Sequence, residues 1–281
     1  MRNLLSANFM RLRKSVVFWL GMIFMFSMAT VASTTMYREG QTIAGYQPHI
    51  DNILFSGAQF LPIVAAVFIG LFIGTEYSDG TIRNKIAAGQ SRAAIYLANL
   101  ITCSAALLLM HLAALLAIVV IGIPLVGNVE EEPQTLLLLT GLSLATVLAV
   151  SALFLLLAML VNKKSVASVA ALLLAFGLLM ASMTINFRLQ EPEYYPTYSS
   201  SLGENGTIQD EAQTPERNPH YLEETKREVY AFLDEFLPSS QFLHISQQKV
   251  AAPLRLVLYS LVILAGTTAC GVVCFGRKDL K

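Results

Sequence analysis

The chain has 281 residues, of which 55% are hydrophobic and 14% are charged, and its net charge at neutral pH is zero. A soluble domain carries about 25% charged residues, so this composition excludes an ordinary soluble protein and indicates an integral membrane protein in contact with a lipid bilayer. The balanced charge also lacks the basic excess of a nucleic-acid-binding surface, and nucleic acid is therefore not an expected partner.

Six apolar runs follow one another along the chain, and each is long enough to cross a hydrocarbon core of about 30 Å. The runs cover residues 15–36, 55–73, 93–123, 134–161, 166–185 and 253–275. The first is longer than the apolar core of a signal peptide, about 7–15 residues, and is interpreted as a span. The third is expected to begin as an interfacial helix. Gly70 and Gly74, at the end of the second run, could let another helix approach closely, or could equally be ordinary glycine usage in a membrane helix.

A polar stretch, residues 75–92, separates the second and third runs. Ser78 or Asp79 could cap a short helix there by accepting a backbone N–H, and Gly89 could end that helix in a left-handed conformation. The sequence therefore predicts an all-α membrane protein of six transmembrane helices, with a short helix between spans two and three.

The short helix would carry an apolar edge. Ile82 and Ile86 fall four positions apart on one face, with Arg83, Asn84 and Lys85 beside them. Two interpretations remain open from this pattern. The edge is covered by a protein partner, or the helix lies on the lipid headgroups as an amphipathic segment.

Motifs for catalysis or metal binding are absent from the sequence. There is no Gly-x-x-x-x-Gly-Lys-Ser/Thr phosphate loop and no His-Glu-x-x-His zinc pair. Cys103, Cys270 and Cys274 are interpreted as small hydrophobic residues, and His111 as a packed polar residue rather than part of a proton relay. No catalytic residue, metal ligand or cofactor bound by this chain is predicted.

A long polar segment, residues 187–252, lies between spans five and six. Its first part, 190–215, is expected to be a loop, and residues 221–237 are expected to form a helix with Asn218 as its cap and Pro219 in its first turn. The apolar face of that helix would consist of Leu222, Val229, Leu233 and Phe236. The helix is either a lid packed over the ends of the spans or an element that gates substrate or binds a partner.

The predicted organisation has three units: residues 1–186 with five spans and the short helix, residues 187–252 as a partly helical external domain, and residues 253–281 with the sixth span and a tail. Asn205-Gly206-Thr207 in the external domain matches a glycosylation acceptor.

Lysine and arginine are distributed unequally between the two sets of loops. Of the 19 in the chain, twelve fall in the N-terminus, residues 75–92, the turn at 162–165 and the C-terminus. Six fall in the loops of the other side, and Arg255 lies inside the sixth run. Because positively charged loops stay in the cytoplasm, both termini are predicted to be cytoplasmic.

The stretch around residues 75–92 resembles a known family. The matching residues are Gly74-x-Glu76-Tyr77-x-Asp79-Gly80-Thr81-Ile82-Arg83-Asn84, followed by Gly89-x-Ser91-Arg92. The end Phe275-Gly276-Arg277-Lys278-Asp279-Leu280 and the run Asn218-Pro219-x-Tyr221-Leu222 are also similar to segments of that family. The family is the type-2 ABC export permeases of bacteria.

This resemblance implies a permease subunit of an ATP-driven exporter in the bacterial cytoplasmic membrane, moving a peptide, lipid or drug-like substrate. It implies that ATP and Mg²⁺ are bound by a separate ABC ATPase subunit, so that this chain is not itself an enzyme. It further implies a second permease subunit, either the same chain or a sibling. The alternative function is a non-transporting sensor or scaffold with an external ligand-binding helix.

The resemblance also implies that residues 75–92 form a cytoplasmic coupling helix that docks on the ATPase. Ile82 and Ile86 would fill an apolar groove of the ATPase, and Glu76 would pair with Arg83 or Arg92. The expected coupling residues are Glu76, Tyr77, Asp79, Gly80, Thr81, Ile82, Arg83, Asn84, Ile86 and Arg92.

Overall fold

The computed structural model describes residues 1–43, 47–127, 129–195, 198–202, 208–212 and 215–279. The structure is 82% helical, and the described part contains no closed sheet, which confirms the all-α class. The helices are α1 (Arg2–Arg13), α2 (Val16–Thr42), α3 (Asp51–Leu54), α4 (Leu61–Ser78), α5 (Thr81–Ala87), α6 (Arg92–Ala117), α7 (Ile123–Val126), α8 (Pro133–Leu160), α9 (Lys164–Gln190), α10 (Glu224–Phe236), α11 (Pro238–Gln247) and α12 (Pro253–Arg277).

Six helical segments among the described residues are long and apolar enough to cross a membrane, as the sequence predicted. They cover Val16–Thr42, Asp51–Ser78, Arg92–Val126, Pro133–Leu160, Lys164–Gln190 and Pro253–Arg277. Several continue past the apolar runs, because hydropathy marks the part that crosses the hydrocarbon and not the end of helical hydrogen bonding. The alternating spans define two ends of the bundle. We call the end with α1 and α5 the coupling end and the end with α10 and α11 the opposite end.

Two spans are not simple α-helices. The second enters through α3 and a 3-10 turn at Ser56–Phe60 before α4 begins. The third starts at Arg92 as a continuous helix, and the expectation that its first turns lie at the membrane interface stays a prediction. Farther along, a π-helical turn at Ile118–Gly122 leads into α7.

The second and fourth spans form the centre of the bundle. In their most apolar stretches, 72% and 67% of the residues are buried, compared with 22%, 22% and 17% in the first, fifth and sixth spans. The outer spans therefore expose large apolar side chains, including Leu173 and Phe176, where hydrocarbon or another protein surface must cover them.

Gly70 and Gly74 permit the close packing of the second and fifth spans. A Cβ at Gly74 would lie 2.9 Å from the Cα of Lys164, and one at Gly70 would lie 3.0 Å from the Cα of Ser168. These distances leave no room for a side chain without moving the backbone of α9. Of the two interpretations left open for this glycine pair, the structure therefore supports close approach of another helix.

The N-terminal helix α1 was not predicted. Leu4, Asn8 and Leu12 recur every four residues and are buried, which places one face of α1 against α6. The spacing of these three residues indicates a helix, but the asparagine between the two leucines interrupts the apolar stripe by which such a helix is recognised.

The first part of the segment between spans five and six differs from its predicted structure. Residues 190–215 are not a simple loop, since Tyr194–Tyr195 pairs with Glu216–Arg217 and Tyr198–Leu202 pairs with Ile208–Ala212, both antiparallel. The Asn205-Gly206-Thr207 tripeptide lies outside the described residues. The division of the chain at residues 186 and 252 stays a prediction.

The predicted helix at 221–237 begins later, at Glu224, and its cap is wrong. Asn218 forms a turn instead, its Oδ1 accepting the backbone N–H of His220 at 2.8 Å. Leu222 is buried and both Leu233 and Phe236 are half-buried, but Val229 is 54% exposed. The inward face is thus rotated from the predicted one, and it includes the buried Asp234.

The helix α10 ends at Phe236, just before Pro238, as predicted, but Pro238 also begins a further helix, α11, which the sequence did not predict. Phe242 and Ile245 are fully buried at the opposite end of the bundle. Gln241 Oε1 accepts hydrogen bonds from Ser260 Oγ at 2.6 Å and from Thr146 Oγ1 at 3.0 Å. This buried amide therefore joins α11 to the fourth and sixth spans.

The glycine contact generates a prediction about stability. Replacing Gly74 with leucine should destabilise the protein by about 1–3 kcal/mol, because the new side chain overlaps the backbone of α9. Gly177→Leu is the matched control, since a Cβ there meets no atom within 4 Å. Thermal unfolding of both variants in detergent checks this, and equal melting temperatures would contradict the close contact.

Candidate coupling site

The turn and helix between spans two and three are framed by two glycines with positive φ. Gly80 precedes α5 with φ of 68°, and Gly89 follows it with φ of 81°. Residues with a Cβ are strained in this region, so glycine is the residue that lets the chain leave α4 and enter α6 at these angles. Gly89 ends the helix as predicted. The predicted caps Ser78 and Asp79 are wrong, because Ser78 still belongs to α4 and Gly80 occupies the N-cap position.

One face of α5 packs inside the chain itself. Ile82 is 1% exposed, and Ile86 is half-buried against the same core. The expectation that both isoleucines fill a groove of a partner is therefore wrong for Ile82, whose surface is already covered. The side chains of Asp79, Arg83 and Asn84 are exposed instead.

Glu76 is the buried charge at the centre of the site. Its carboxylate is fully buried; Oε1 forms an ion pair with Arg11 Nη1 at 2.5 Å and accepts a hydrogen bond from Lys85 Nζ. A buried carboxylate is tolerated when opposite charges and N–H donors surround it. Two cations from α1 and α5 thus meet one anion from α4.

Two asparagines complete the surroundings of this carboxylate. Asn99 Nδ2 donates to Glu76 Oε2 at 2.8 Å, and Asn8 Nδ2 donates to Asn99 Oδ1 at 2.7 Å. Lys85 Nζ also donates to Asn8 Oδ1 at 2.9 Å. The network joins α1, α4, α5 and α6 in one hydrogen-bonded cluster.

Arg11 has a second contact in the core. The carbon of its guanidinium group lies 3.8 Å above the ring centroid of Phe72, one turn before Glu76 on α4. A cation over an aromatic face is attracted to the ring, more strongly where water is excluded. Arg11 is therefore held to α4 by both a charge pair and a ring contact.

The expected pairing of Glu76 with Arg83 or Arg92 is wrong. Arg83 lies on the exposed side of α5, because the burial of Ile82 turns Lys85 toward the core. Arg92 is bound by the C-terminal end of α12, where its Nη1 donates to the carbonyl oxygen of Phe275 at 3.3 Å and also to that of Lys278.

Tyr77 forms the other half of this contact with the tail. Its hydroxyl donates to the carbonyl oxygen of Met159 at 2.5 Å, and Lys278 Nζ donates to the Tyr77 oxygen at 2.9 Å. Burial lowers the pKa of Lys278 to about 8. The start of the third span, the end of the second and the tail are thus held together beside α5.

Sequence reasoning missed several members of the site. Arg11, Asn8, Asn99 and Lys278 come from segments far apart in the chain, and local motif spacing gives no information about such contacts. Lys85 was recognised as a neighbour of the isoleucines, but its pairing depends on the rotation of α5, which only packing determines.

The remaining residues considered for chemistry lie elsewhere. His111 is buried, and its Nε2 lies 2.9 Å from Ser143 Oγ, a packed polar contact between the third and fourth spans. Cys103 is buried in the core, whereas Cys270 and Cys274 lie on α12 with their sulfur atoms 3.8 Å apart. No group of three or more metal-binding side chains is found among the residues that the structure describes.

A family model described as "ABC-2 family transporter protein" matches residues 4–181. The match includes most of α1, the first four spans, the short helix α5 and most of the fifth span. A search of curated proteins gave no significant match.

The buried charge generates a prediction. Glu76→Gln should destabilise the protein by about 3–5 kcal/mol, because it removes the buried counter-charge of the two half-buried cations Arg11 and Lys85. Asp79→Asn removes an exposed carboxylate three positions later and serves as control. Thermal unfolding of the purified variants measures the difference. A Glu76→Gln protein as stable as the control would contradict the role assigned to this carboxylate.

Proposed function

The chain belongs to the ABC-2 family of transporter proteins, and on that premise we propose that it is the permease subunit of an ATP-driven exporter. The observation that carries the proposal is the helix α5, which is anchored by the Glu76 network and presents an exposed polar face. The substrate is proposed to be a peptide, lipid or drug-like molecule. The matched family is a transport family, which favours this function over a non-transporting sensor or scaffold.

ATP hydrolysis is proposed to take place on a separate ABC ATPase that binds ATP and Mg²⁺. Nucleotide can drive transport only if it favours one conformation of the ATPase over another. The conformational change of the ATPase must then be transmitted to the permease through a rigid contact. The coupling residues Glu76, Tyr77, Asp79, Gly80, Thr81, Ile82, Arg83, Asn84, Ile86 and Arg92 are proposed to form or support this contact.

These residues divide into two groups by exposure. Asp79, Arg83 and Asn84 are exposed and are proposed to meet the ATPase through hydrogen bonds and charge pairs. Ile82 is buried and is proposed to fix the orientation of α5 from within. The proposed docking surface of α5 is therefore polar, and its apolar side packs inside the permease.

The Glu76 cluster supports a rigid transmission path. A force on α5 acts on Lys85, which is bound to Glu76 on the second span and, through Asn8, to α1. Asn99 extends the same cluster to the third span. Displacing α5 alone would require separating buried opposite charges, so the two spans and α1 are proposed to move with it.

A second permease chain, identical or a sibling, is proposed to cover part of the outer spans. The first, fifth and sixth spans are the least buried in the single chain, at 22%, 22% and 17%. We place the assembly in the bacterial cytoplasmic membrane with both termini cytoplasmic, on the distribution of lysine and arginine.

The docking proposal predicts the effect of a charge reversal. Asp79→Lys combined with Arg83→Glu should reduce recovery of the ATPase with the affinity-purified permease several-fold or more, because like charges would face each other across the contact. Thermal stability should not change, since both side chains are exposed. Mass spectrometry of the purified complex identifies the ATPase. The native mass of the complex gives the number of permease chains.

Glu223→Lys combined with Lys226→Glu provides the control, because it makes the same charge exchange at the opposite end of the bundle. Equal recovery of the ATPase with both double variants would refute docking through α5.

The orientation is checked by cysteine labelling. In a background in which Cys103, Cys270 and Cys274 are replaced, Glu223→Cys should react with an impermeant thiol reagent added to intact cells, and Lys163→Cys should not. Both positions are exposed, so access depends on the side of the membrane. Permeabilised cells are the control, in which both should react. Labelling of Lys163→Cys alone in intact cells would reverse the assignment.

A further inference from the structure

The fifth span, α9, exposes a regular stripe of large apolar side chains. The stripe consists of Val166, Val169, Leu173, Phe176, Met180 and Met183, and Phe187 continues it. Successive members are alternately three and four residues apart. This is the a/d pattern of a heptad repeat, in which apolar residues recur every 3.5 residues along one side of a helix. We call this stripe the α9 seam.

The α9 seam is as long as the membrane is thick. From Val166 to Phe187 it covers three heptads, which at 1.5 Å per residue is about 32 Å, close to the thickness of the hydrocarbon core. An a/d pattern sustained over this length is typical of a helix that packs lengthwise against another helix. The seam side chains are 46–69% exposed, so no described helix of the same chain covers them.

The first span shows, in the same structure, the face expected of a helix covered by lipid. In the most apolar stretch of each of the two spans, 22% of the residues are buried, so they are equally exposed. The exposed large side chains of the first span include the adjacent residues Trp19 and Leu20, and then Ile23 and Phe24, which give a broad face. Along α9, all of whose residues are described, no two such side chains are adjacent. A strict a/d stripe is the narrower seam of a coiled coil and fits one partner helix.

The size and charge of the α9 seam fit a second copy of this chain. The seam presents roughly 700 Å² of apolar surface, close to the 800 Å² or so that one partner contributes to an interface of standard size. No charged residue lies between Val166 and Phe187, so the same face of another copy can meet it without opposing like charges. Lys163 and Lys164 precede the seam at the membrane boundary, where salt screens their repulsion.

We propose that the α9 seam is the interface between two copies of this chain, whose fifth spans pack in parallel about a two-fold axis along the membrane normal. Such an axis brings each seam residue opposite the same residue of the other copy, so that Leu173 faces Leu173. The inference rests on the proposed pairing of two permease chains and names both the surface and the partner, an identical chain.

Disulfide cross-linking in native membranes tests the interface. In a background in which Cys103, Cys270 and Cys274 are replaced by alanine, Leu173→Cys should form a linked dimer on oxidation with copper phenanthroline, because residues facing each other across the axis bring their Cα atoms within about 7 Å. Met180→Cys, one heptad along, should do the same.

Two controls distinguish the seam from random collision. Leu174→Cys lies one residue off the seam, where the native side chain packs against the core, and it should cross-link several-fold less. Leu20→Cys lies on the first span, where the native side chain is 59% exposed, and it should also stay monomeric. Equal cross-linking of Leu173→Cys and either control would overturn the proposal.

A second measurement uses the purified protein with its cysteines intact. Leu173→Ala combined with Phe176→Ala should reduce the dimer fraction in native mass spectrometry several-fold, because the largest knobs of the seam are lost. Leu20→Ala combined with Phe24→Ala makes the same truncation on the first span and should leave the dimer fraction unchanged.

The remaining outcomes separate this interface from the proposed pairing itself. A dimer that cross-links through Leu20→Cys and not through the seam would overturn the interface and keep the pairing. A native mass with one copy of this chain and a different permease would overturn the choice of partner. A single-chain mass with no cross-link at any position would leave the seam to lipid and remove the pairing as well, whereas ATPase docking is decided by the charge reversal on α5.

Discussion

The coupling end of this protein depends on one buried charge. Glu76 lies in the last turn of the second span as a fully buried carboxylate, and such a group is stable only when cations and N–H donors reach it from several directions. Arg11, Lys85 and Asn99 approach it from α1, α5 and α6. This requirement acts together with the burial of Ile82 in setting which face of α5 turns inward, and it also holds α1 against the bundle. The exposed face that is proposed to meet an ATPase therefore follows from both contacts beneath it.

Buried polar groups are paired differently at the two ends of the bundle. At the coupling end, polar groups are buried with full charges that pair. At the opposite end, the joint between α11 and the spans uses neutral groups, with Gln241 accepting hydrogen bonds from Ser260 and Thr146. Separating neutral partners leaves fewer costly charges behind than separating an ion pair. The joint of α11 with these two spans is thus easier to separate than the Glu76 cluster, although Arg255 on α12 pairs with Glu235 on α10 at the same end.

The sequence predicted the class and the number of spans, and it offered the glycine contact as one of two interpretations, because these depend on composition and local spacing. The apolar runs marked the spans, and Gly70 and Gly74 indicated the close approach that α9 makes. Contacts between distant segments were not predictable in this way. The pairing of Glu76 with Arg11 depends on a turn of α1 that no local motif encodes. The helix α11 was missed because Pro238 was interpreted only as the end of the preceding helix, although proline is also common in the first turn of a helix.

The π-helical turn at Ile118–Gly122 affects how related chains can be compared with this one. A turn closed by i→i+5 hydrogen bonds holds one residue more than an α-helical turn, while the helix before and after it keeps its regular pattern. A relative with a plain α-helix at this position would contain one residue fewer. A correct alignment would then place a single-residue gap inside a membrane-spanning helix, where alignment methods normally penalise gaps. Forcing the two chains into register without that gap would rotate every later residue of the third span onto the wrong face.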